Sequence, residues 1–304
     1  MEVIYYKPGL PNCGFKTAVA LGMFDGVHLG HKAVINKAID YAKSKSIKSA
    51  VITLANHPRE LTQGKSPQLI TNLEERLIMF ESLGIDLVLV LNFDANLMNT
   101  SALEYLDNFL YKQLNAEFIS TGYDHHFGKN REGNLSTLET WCLSKNIVLN
   151  IEEALNINDE IISSSKIREL IKAGKIKEAN LFLGHDFFIV SKVIHGDKRG
   201  TQIGFPTANL KNPESVVIPA SGVYSGDCII DNEKKIYRCA VNIGHRPSFN
   251  NESDLTIEAH IIDFNEDIYG KNLQIRFKDR IRDEKKFNSP EQLIEQIKQD
   301  LEFC

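Results

Sequence analysis

A chain of 304 residues with 42% apolar side chains is about twice an ordinary domain length and carries enough apolar material for two cores. Thirty-five basic and forty acidic side chains leave a net charge of −5 without a long run of one sign, which argues against a surface that wraps nucleic acid and leaves open small anions held by glycine loops and helix ends. MEVIYYKPGL lacks the basic-then-apolar order of an export signal, DLVLVL is too short to span a bilayer, and the five cysteines (Cys13, Cys142, Cys228, Cys239, Cys304) include no CxxC pair, so a cytoplasmic chain with reduced thiols is expected.

From residue 17 to about 152, the apolar runs TAVALG, SAVITL, DLVLVL, EFISTG and NIVLNI alternate with helical spacing such as NLEERLIMFESLG. This βαβ rhythm predicts an α/β region with a parallel sheet and helices on its faces. Two more helical stretches, SSKIRELIKAG and KIKEANLFLG, carry the chain to Gly184, where the sequence divides into residues 1–184 and 185–304. Beyond it FFIVSKVIH, GVYSGDCIID, IYRCAVNI, LTIEAHIID and NLQIRF follow one another, separated by Gly, Pro, Asn and Asp, which predicts a small antiparallel barrel or sandwich. PEQLIEQIKQDLEF reads as an amphipathic helix with Ser289 at its cap and Pro290 in its first turn.

The first strand runs straight into GMFDGVHLGH (22–31), a strand-to-helix turn at the carboxyl edge of the sheet, where ligands of such folds bind. Gly22, Gly26 and Gly30 let a phosphate chain approach the backbone, and the next helix offers free N–H groups and a favourable dipole. His28 and His31 can point to one side and donate to phosphate oxygens, so the turn predicts a nucleoside triphosphate site. Zinc fits less well, because the histidines are spaced i, i+3 rather than i, i+4 and no cysteine is near. On these residues alone a tight turn with surface histidines stays open. A Walker A loop fails at GKS (64–66), where Arg59 stands in place of its first glycine and Pro67 spoils the helix start.

In the second half, Gly196, Gly200 and Gly204 recur every four residues around Lys198 and Arg199, as in a flap whose N–H groups meet phosphates. Thr207 and Asn209 of PTAN share one face if that segment is extended; a Pro-initiated turn is the alternative. In LTIEAHIID the alternation sets Thr256, Glu258 and His260 opposite Ile257, Ala259 and Ile261. A carboxylate there suits either a proton acceptor or a merely solvated strand face.

GMFDGVHLGH resembles the HxGH signature of the nucleotidylyltransferase superfamily and, in its fuller form, the adenylyltransferase half of bacterial bifunctional riboflavin kinase/FAD synthetases. TLANHPRE (53–60) resembles that family's second motif, TGYDHHFGKNREG (121–133) its GxDFxFG motif and ISSSKIR (162–168) its ISSTxIR motif. HGDKRGTQIGFPTANL (195–210) resembles the riboflavin kinase signature, and VNIGHRP (241–247) and LTIEAHIIDF (255–264) resemble the kinase stretches that follow. The resemblance spans nearly the whole chain. It implies a Rossmann-like nucleotidylyltransferase domain and a riboflavin kinase barrel, with ATP as co-substrate, Mg2+ as the cation, riboflavin and FMN as acceptors, and FAD, ADP and pyrophosphate as products.

For the adenylyltransferase half it implies that His28 and His31 are catalytic, with ATP contacts also from Gly22, Phe24, Asp25 and Gly26 in the turn and from Ser163, Ser164 and Arg168. Asp25 suits either the turn or the nucleotide. Flavin contacts are implied at His57, Asp124 and Phe127. For the kinase half it implies nucleotide contacts from Gly196, Lys198, Gly200 and Gly204, Mg2+ on Thr207 and Asn209, and Glu258 as base. Asn56 before His57 departs from the usual pattern, as do His125 and His126, where Phe and Arg are usual. Histidine titrates near neutrality and arginine does not, so substrate affinity is expected to depend more on pH than in relatives. Competing readings are one active half, another phosphorylated acceptor, and a flavin-binding sensor without turnover.

Overall fold

The five apolar runs of the first half become β2 (Thr17–Leu21), β3 (Lys48–Leu54), β4 (Leu87–Leu91), β5 (Ala116–Gly122) and β6 (Val148–Glu152), and a strand outside those runs, β1 (Glu2–Tyr5), precedes them. All pair in parallel, in the order β1-β4-β3-β2-β5-β6. The computed structural model describes residues 1–196, 199–213, 215–231, 233–246 and 254–304, and these divide into two compact units, Met1–Ser164 and Ser165–Cys304. That division falls after the first residue of helix Ser164–Lys172 and ahead of helix Ile176–Leu183, whereas the sequence boundary at Gly184 is drawn after both. In the second unit Asn180 shows why the latter helix packs on the barrel: its amide donates to the Phe277 carbonyl at 2.8 Å and accepts from the Phe187 N–H at 2.7 Å.

β2 and β4 are buried at every residue because each sheet face has its own helical layer. Ala18 and Ala20 of β2 face α1 (Leu29–Lys45), which brings Val34, Ile35, Ala38, Ile39 and Ala42 to that core. The alternate residues Val19 and Leu21 pack with Leu106 and Leu110 of the helical segment Leu106–Gln113 and with Leu138 and Trp141 of helix Leu135–Lys145. From β2 the chain passes through α1 to β3 on one side, and β5 later enters on the other side of β2. The crevice beyond the carboxyl ends of β2 and β5 is therefore the switch point at which open α/β sheets take ligands. A small ribbon, β7 (Asn156–Ile157) with β8 (Glu160–Ile161), follows β6.

Among the described residues of the second unit, β9 (Phe187–Ile194), β10 (Ala208–Leu210), β11 (Gly222–Ile230), β12 (Tyr237–Arg246), β13 (Asp254–Ile261) and β14 (Asn272–Arg282) close an antiparallel barrel in the order β10-β13-β12-β11-β14-β9. Closure pairs the strand edges and leaves Val241, Ile257, Ala259, Ile275 and Phe277 in the core. The sequence pattern left barrel and sandwich open, and the pairing of β9 with both β10 and β14 makes it a barrel. Helix Pro290–Leu301 begins as expected, with the Ser289 hydroxyl accepting the Gln292 N–H. It is fastened to the end of β14 by a forked ion pair: Arg282 Nε lies 2.9 and 3.0 Å from the two Asp300 oxygens, and Nη2 lies 2.8 Å from Oδ2. Asp300 is buried, so Asp300→Ala would leave the guanidinium without its partner. A loss of about 3 kcal/mol, the low end for breaking a buried pair, is expected as a fall in Tm in calorimetry.

Candidate functional site

The turn after β2 takes a backbone that few residues tolerate. Phe24 and Val27 have φ of 56° and 41°, and Gly26 has φ of 80°. A β-branched residue at positive φ persists only where its surroundings hold it. Here the buried Asp25 carboxylate accepts the Ile70 and Thr71 N–H groups at 2.8 and 3.1 Å, while the Gly26 N–H donates to Thr71 Oγ1 at 2.9 Å. A Cβ on Gly26 would lie 2.9 Å from Ile70, so glycine is required twice over. Phe24 is 2% exposed and meets Phe80 and His31 edge-on. Both Phe24 and Asp25 thus build the turn from within.

His28 is the N-cap of α1, and its Nδ1 accepts the His31 N–H at 3.2 Å. An accepting Nδ1 places the ring proton on Nε2. The two imidazoles stack with centroids 3.5 Å apart and planes 18° apart. Nδ1 of His31 is buried with no hydrogen-bond partner, so a proton there would be stranded, and the Nε2–H tautomer follows again. Burial pushes the His31 pKa well below its usual value, and His28 and the Arg76 cation push it further. Two stacked donors, the second kept neutral, stand at the helix N-terminus. Ser164 Oγ donates to the Asp25 carbonyl at 3.0 Å, which brings Ser164 onto the same turn. Arg168 belongs to the second unit, where its guanidinium lies 3.3 Å from Ser165 Oγ.

The loops after β3 and β5 carry the candidate flavin contacts. His57 caps α2 (Pro58–Gln63), its Nδ1 accepting the Arg59 N–H at 3.1 Å. Asn56 clasps the exit of β4, with its amide donating to the Phe93 carbonyl at 3.1 Å and accepting the Phe93 N–H at 2.8 Å. That departure from the family pattern therefore has a structural use. Beyond β5, Asp124 is exposed and Phe127 is buried, packed between Tyr105 and His125 at centroid distances of 5.6 Å each. Burial, then His126 and Arg131, pushes the His125 pKa down to about 4, so this ring is neutral near pH 7. The neighbouring His126 is exposed, and its Nδ1 lies 2.9 Å from the Asp124 carbonyl.

In the second unit a cavity of 710 Å³ lies on the outer face of the barrel, between β12 and β13, residues 200–207 ahead of β10, and the segment Arg282–Asp300. Phe205, Phe287, Leu293 and Ile297 supply apolar wall, and Thr207, Asn242, Glu258 and His260 supply polar groups. The alternation read in β13 holds, with Ile257, Ala259 and Ile261 buried and Glu258 on the opposite face. Asn209, Glu258 and Asn242 are direct register partners across three strands, and Thr207 Oγ1 lies 3.4 Å from Glu258 Oε2. A Cβ on Gly196 would fall 2.3 Å from the Asn209 amide and one on Gly200 2.3 Å from the Phe205 carbonyl, so both glycines admit close contacts. Gly204 turns with φ of 87°, and Lys198 lies outside the described residues.

Among the described residues no three His, Cys, Asp or Glu side chains form a metal cage. The neutral oxygens of Thr207 and Asn209 beside the Glu258 carboxylate instead suit Mg2+, which takes few protein oxygens and completes its shell with phosphates and water. The motifs missed Asn242, which sat unremarked inside VNIGHRP, and Arg76, which sat inside a stretch read only as a helix.

A model of the FAD synthetase family matches residues 11–166, and one of the riboflavin kinase family matches residues 183–304. The bifunctional riboflavin kinase/FMN adenylyltransferase of Bacillus subtilis is 38% identical over 289 residues, covering 94% of this chain and 90% of that protein. The chain belongs to the bifunctional riboflavin kinase/FMN adenylyltransferase family. The Escherichia coli K12 member of this family is 31% identical over 283 residues, 93% of this chain and 90% of that one. A Streptococcus pneumoniae crystal structure described as a macrolide-efflux protein shares the fold over 99% of this chain and 98% of its own, with TM-score 0.88 at 30% identity. Among the described residues here, no helix is long and apolar enough to cross a membrane. The FAD synthetase match takes in the turn 22–31 and the loops after β3 and β5, and the riboflavin kinase match takes in the whole barrel.

Proposed function

We propose that the chain phosphorylates riboflavin with ATP to FMN in residues 185–304 and adenylylates FMN with a second ATP to FAD and pyrophosphate in residues 1–184. The observation that carries this reading is the match of one family to each half of the same chain. In the adenylyl transfer an FMN phosphate oxygen bonds to the α-phosphorus of ATP as the bond to pyrophosphate breaks. No enzyme-bound intermediate is needed, so the protein has to align two phosphates and meet the charge that grows on the leaving group. His28 and His31 are suited to this by their shared Nε2–H tautomer at a helix N-terminus, with Ser163, Ser164 and Arg168 as further phosphate contacts. His57, Asp124 and Phe127 are assigned to the flavin.

In the kinase half Glu258 accepts the proton of the terminal ribityl hydroxyl as that oxygen bonds to the γ-phosphorus and the bond from the γ-phosphorus to the bridging oxygen breaks, releasing ADP. Thr207 and Asn209 would hold Mg2+, which when bound neutralises phosphate charge. Gly196, Lys198, Gly200 and Gly204 are assigned to the nucleotide flap, and the apolar wall of the cavity to the flavin ring. Five free cysteines suit the reducing cytoplasm, the compartment we assign.

A chromatographic time course with riboflavin, ATP and Mg2+ tests the reading: FMN is expected to rise and then give way to FAD. A flavin-binding sensor would release neither ADP nor pyrophosphate. The departure at His126 gives a narrower expectation. An arginine in its place would carry a fixed charge toward the FMN phosphate, so His126→Arg is expected to lower KM for FMN. Steady-state measurement of FAD formation checks this, and an unchanged KM would remove His126 from the phosphate site.

A further inference from the structure

Arg76 lies in α3 (Leu73–Leu83), a helix that none of the recognised motifs includes, yet its side chain is among the most buried in the chain, at 0% exposure. Its guanidinium reaches out of the helix toward the carboxyl edge of the sheet. Nη1 donates to the Met23 carbonyl at 2.6 Å and to Thr53 Oγ1 at 2.9 Å, and Nη2 donates to the Leu54 carbonyl at 3.0 Å. Thr53 Oγ1 in turn donates to the same Met23 carbonyl at 2.9 Å. Met23 belongs to the turn after β2, and Thr53 and Leu54 are the last residues of β3. One cation therefore ties the histidine-bearing turn to the strand that leads into His57.

Desolvating a guanidinium is costly, and a helix that needed only an apolar contact at this place would carry a leucine. Four backbone and hydroxyl acceptors, the fourth being the Asn72 carbonyl 3.4 Å from Nε, and the nearby carboxylates of Asp25 and Glu75 offset that cost. The planar fork is what the place demands, since a lysine ammonium cannot span acceptors on two segments in fixed directions. The adjoining residues work in the same direction: Ile70 and Thr71 hold Asp25, and Thr71 holds Gly26.

We infer that Arg76 is a positioning residue for adenylyl transfer, fixing the turn so that the imidazoles of His28 and His31 present their Nε2–H groups where the leaving pyrophosphate develops charge. This rests on the reading of the first half as the FMN adenylyltransferase. Arg76 touches no substrate and acts through the turn. Its charge also faces His31, together with His28, and contributes to keeping that ring neutral.

The test uses the full chain with Arg76→Met, Arg76→Lys and Thr53→Val, measuring FMN formation from riboflavin and FAD formation from supplied FMN separately. Arg76→Met is expected to lower kcat for FAD about 100-fold, the size of effect that a misplacement of about 1 Å produces, with KM for ATP changed less than about threefold. Arg76→Lys should fall between it and the parent, and Thr53→Val should lower kcat about tenfold. FMN formation should be unchanged in all three. The ring resonances of His31 should titrate at higher pH in Arg76→Met and not in Thr53→Val, a shift that a purely structural role would not produce. Parent-like FAD synthesis in Arg76→Met overturns the inference. If Arg76→Met does not fold, Thr53→Val decides, and an unchanged kcat there overturns the inference equally. A parent enzyme that makes FMN and no FAD would instead overturn the reading of the first half.

Discussion

Glu258→Gln should lower riboflavin phosphorylation by about 100- to 10,000-fold while leaving FAD formation from supplied FMN at the parent rate. Glutamine keeps the length and shape of the side chain. It also keeps an oxygen that can accept from Thr207, 3.4 Å away, so the strand register linking Asn209, Glu258 and Asn242 has no reason to change. The substitution removes the carboxylate charge and with it the capacity to take a proton from the ribityl hydroxyl. The effect should therefore lie in kcat, with KM for riboflavin nearly unchanged, because the ring is assigned to the apolar wall at Phe205, Phe287, Leu293 and Ile297. Separate assays for FMN and FAD check both parts. Parent-like FMN formation would return Glu258 to the solvated-face reading that its alternating strand also allows.

How much of this was legible depended on how each side chain reports its surroundings. The central strands were plain because a parallel sheet covered on both faces must be apolar at every position, as β2 and β4 are. β1 gave little signal: it is a four-residue edge strand with two exposed residues, paired on one side with β4. β10 is three residues long and was read only as a possible extended segment around Asn209. β13 was legible down to the face of each residue, since one side of a barrel strand packs inward and the alternation survives.

The candidate sites divide in the same way. The turn 22–31 was conspicuous because glycine and histidine are rare together and the strand before it fixed its place. Its support was not. Asp25 looked equally suited to a nucleotide or a turn, and only its bonds to Ile70 and Thr71, 45 and 46 residues on, show which segment it holds. Arg76 follows two glutamates on a helix, a pattern that normally marks a solvated face, and nothing local tells that its guanidinium is buried against Met23 and Leu54. Asn56 and His125 departed from the family motif for reasons that also lie across the fold, in the backbone of Phe93 and the ring of Phe127.

The tautomer at His31 leads to the second large effect. If Nε2–H is the working donor, His31→Ala should lower FAD synthesis by about 100- to 1,000-fold, as removal of one donor to developing charge does elsewhere, and FMN should accumulate from riboflavin. His31→Gln sets an amide N–H near the Nε2 position and should retain part of the rate, whereas His31→Asn sets it near Nδ1 and should behave like alanine. Equal losses in the glutamine and asparagine variants would remove the tautomer argument. Stability offers an independent check. The folded pKa of His31 is depressed below the 6.5 of a free histidine, chiefly by burial, so the unfolded chain binds a proton that the folded chain refuses. The folded state is therefore penalised progressively as pH falls below about 6.5, down to the depressed folded value, and the penalty is absent above that range. His31→Gln has no such proton to bind. Its Tm relative to the parent should rise as pH is lowered from about 7 to 5, while His125, depressed in both proteins, contributes alike to each and cancels. A Tm difference that stays constant across that range would mean that His31 is solvated and freely protonated, which would also deprive the turn of its neutral donor.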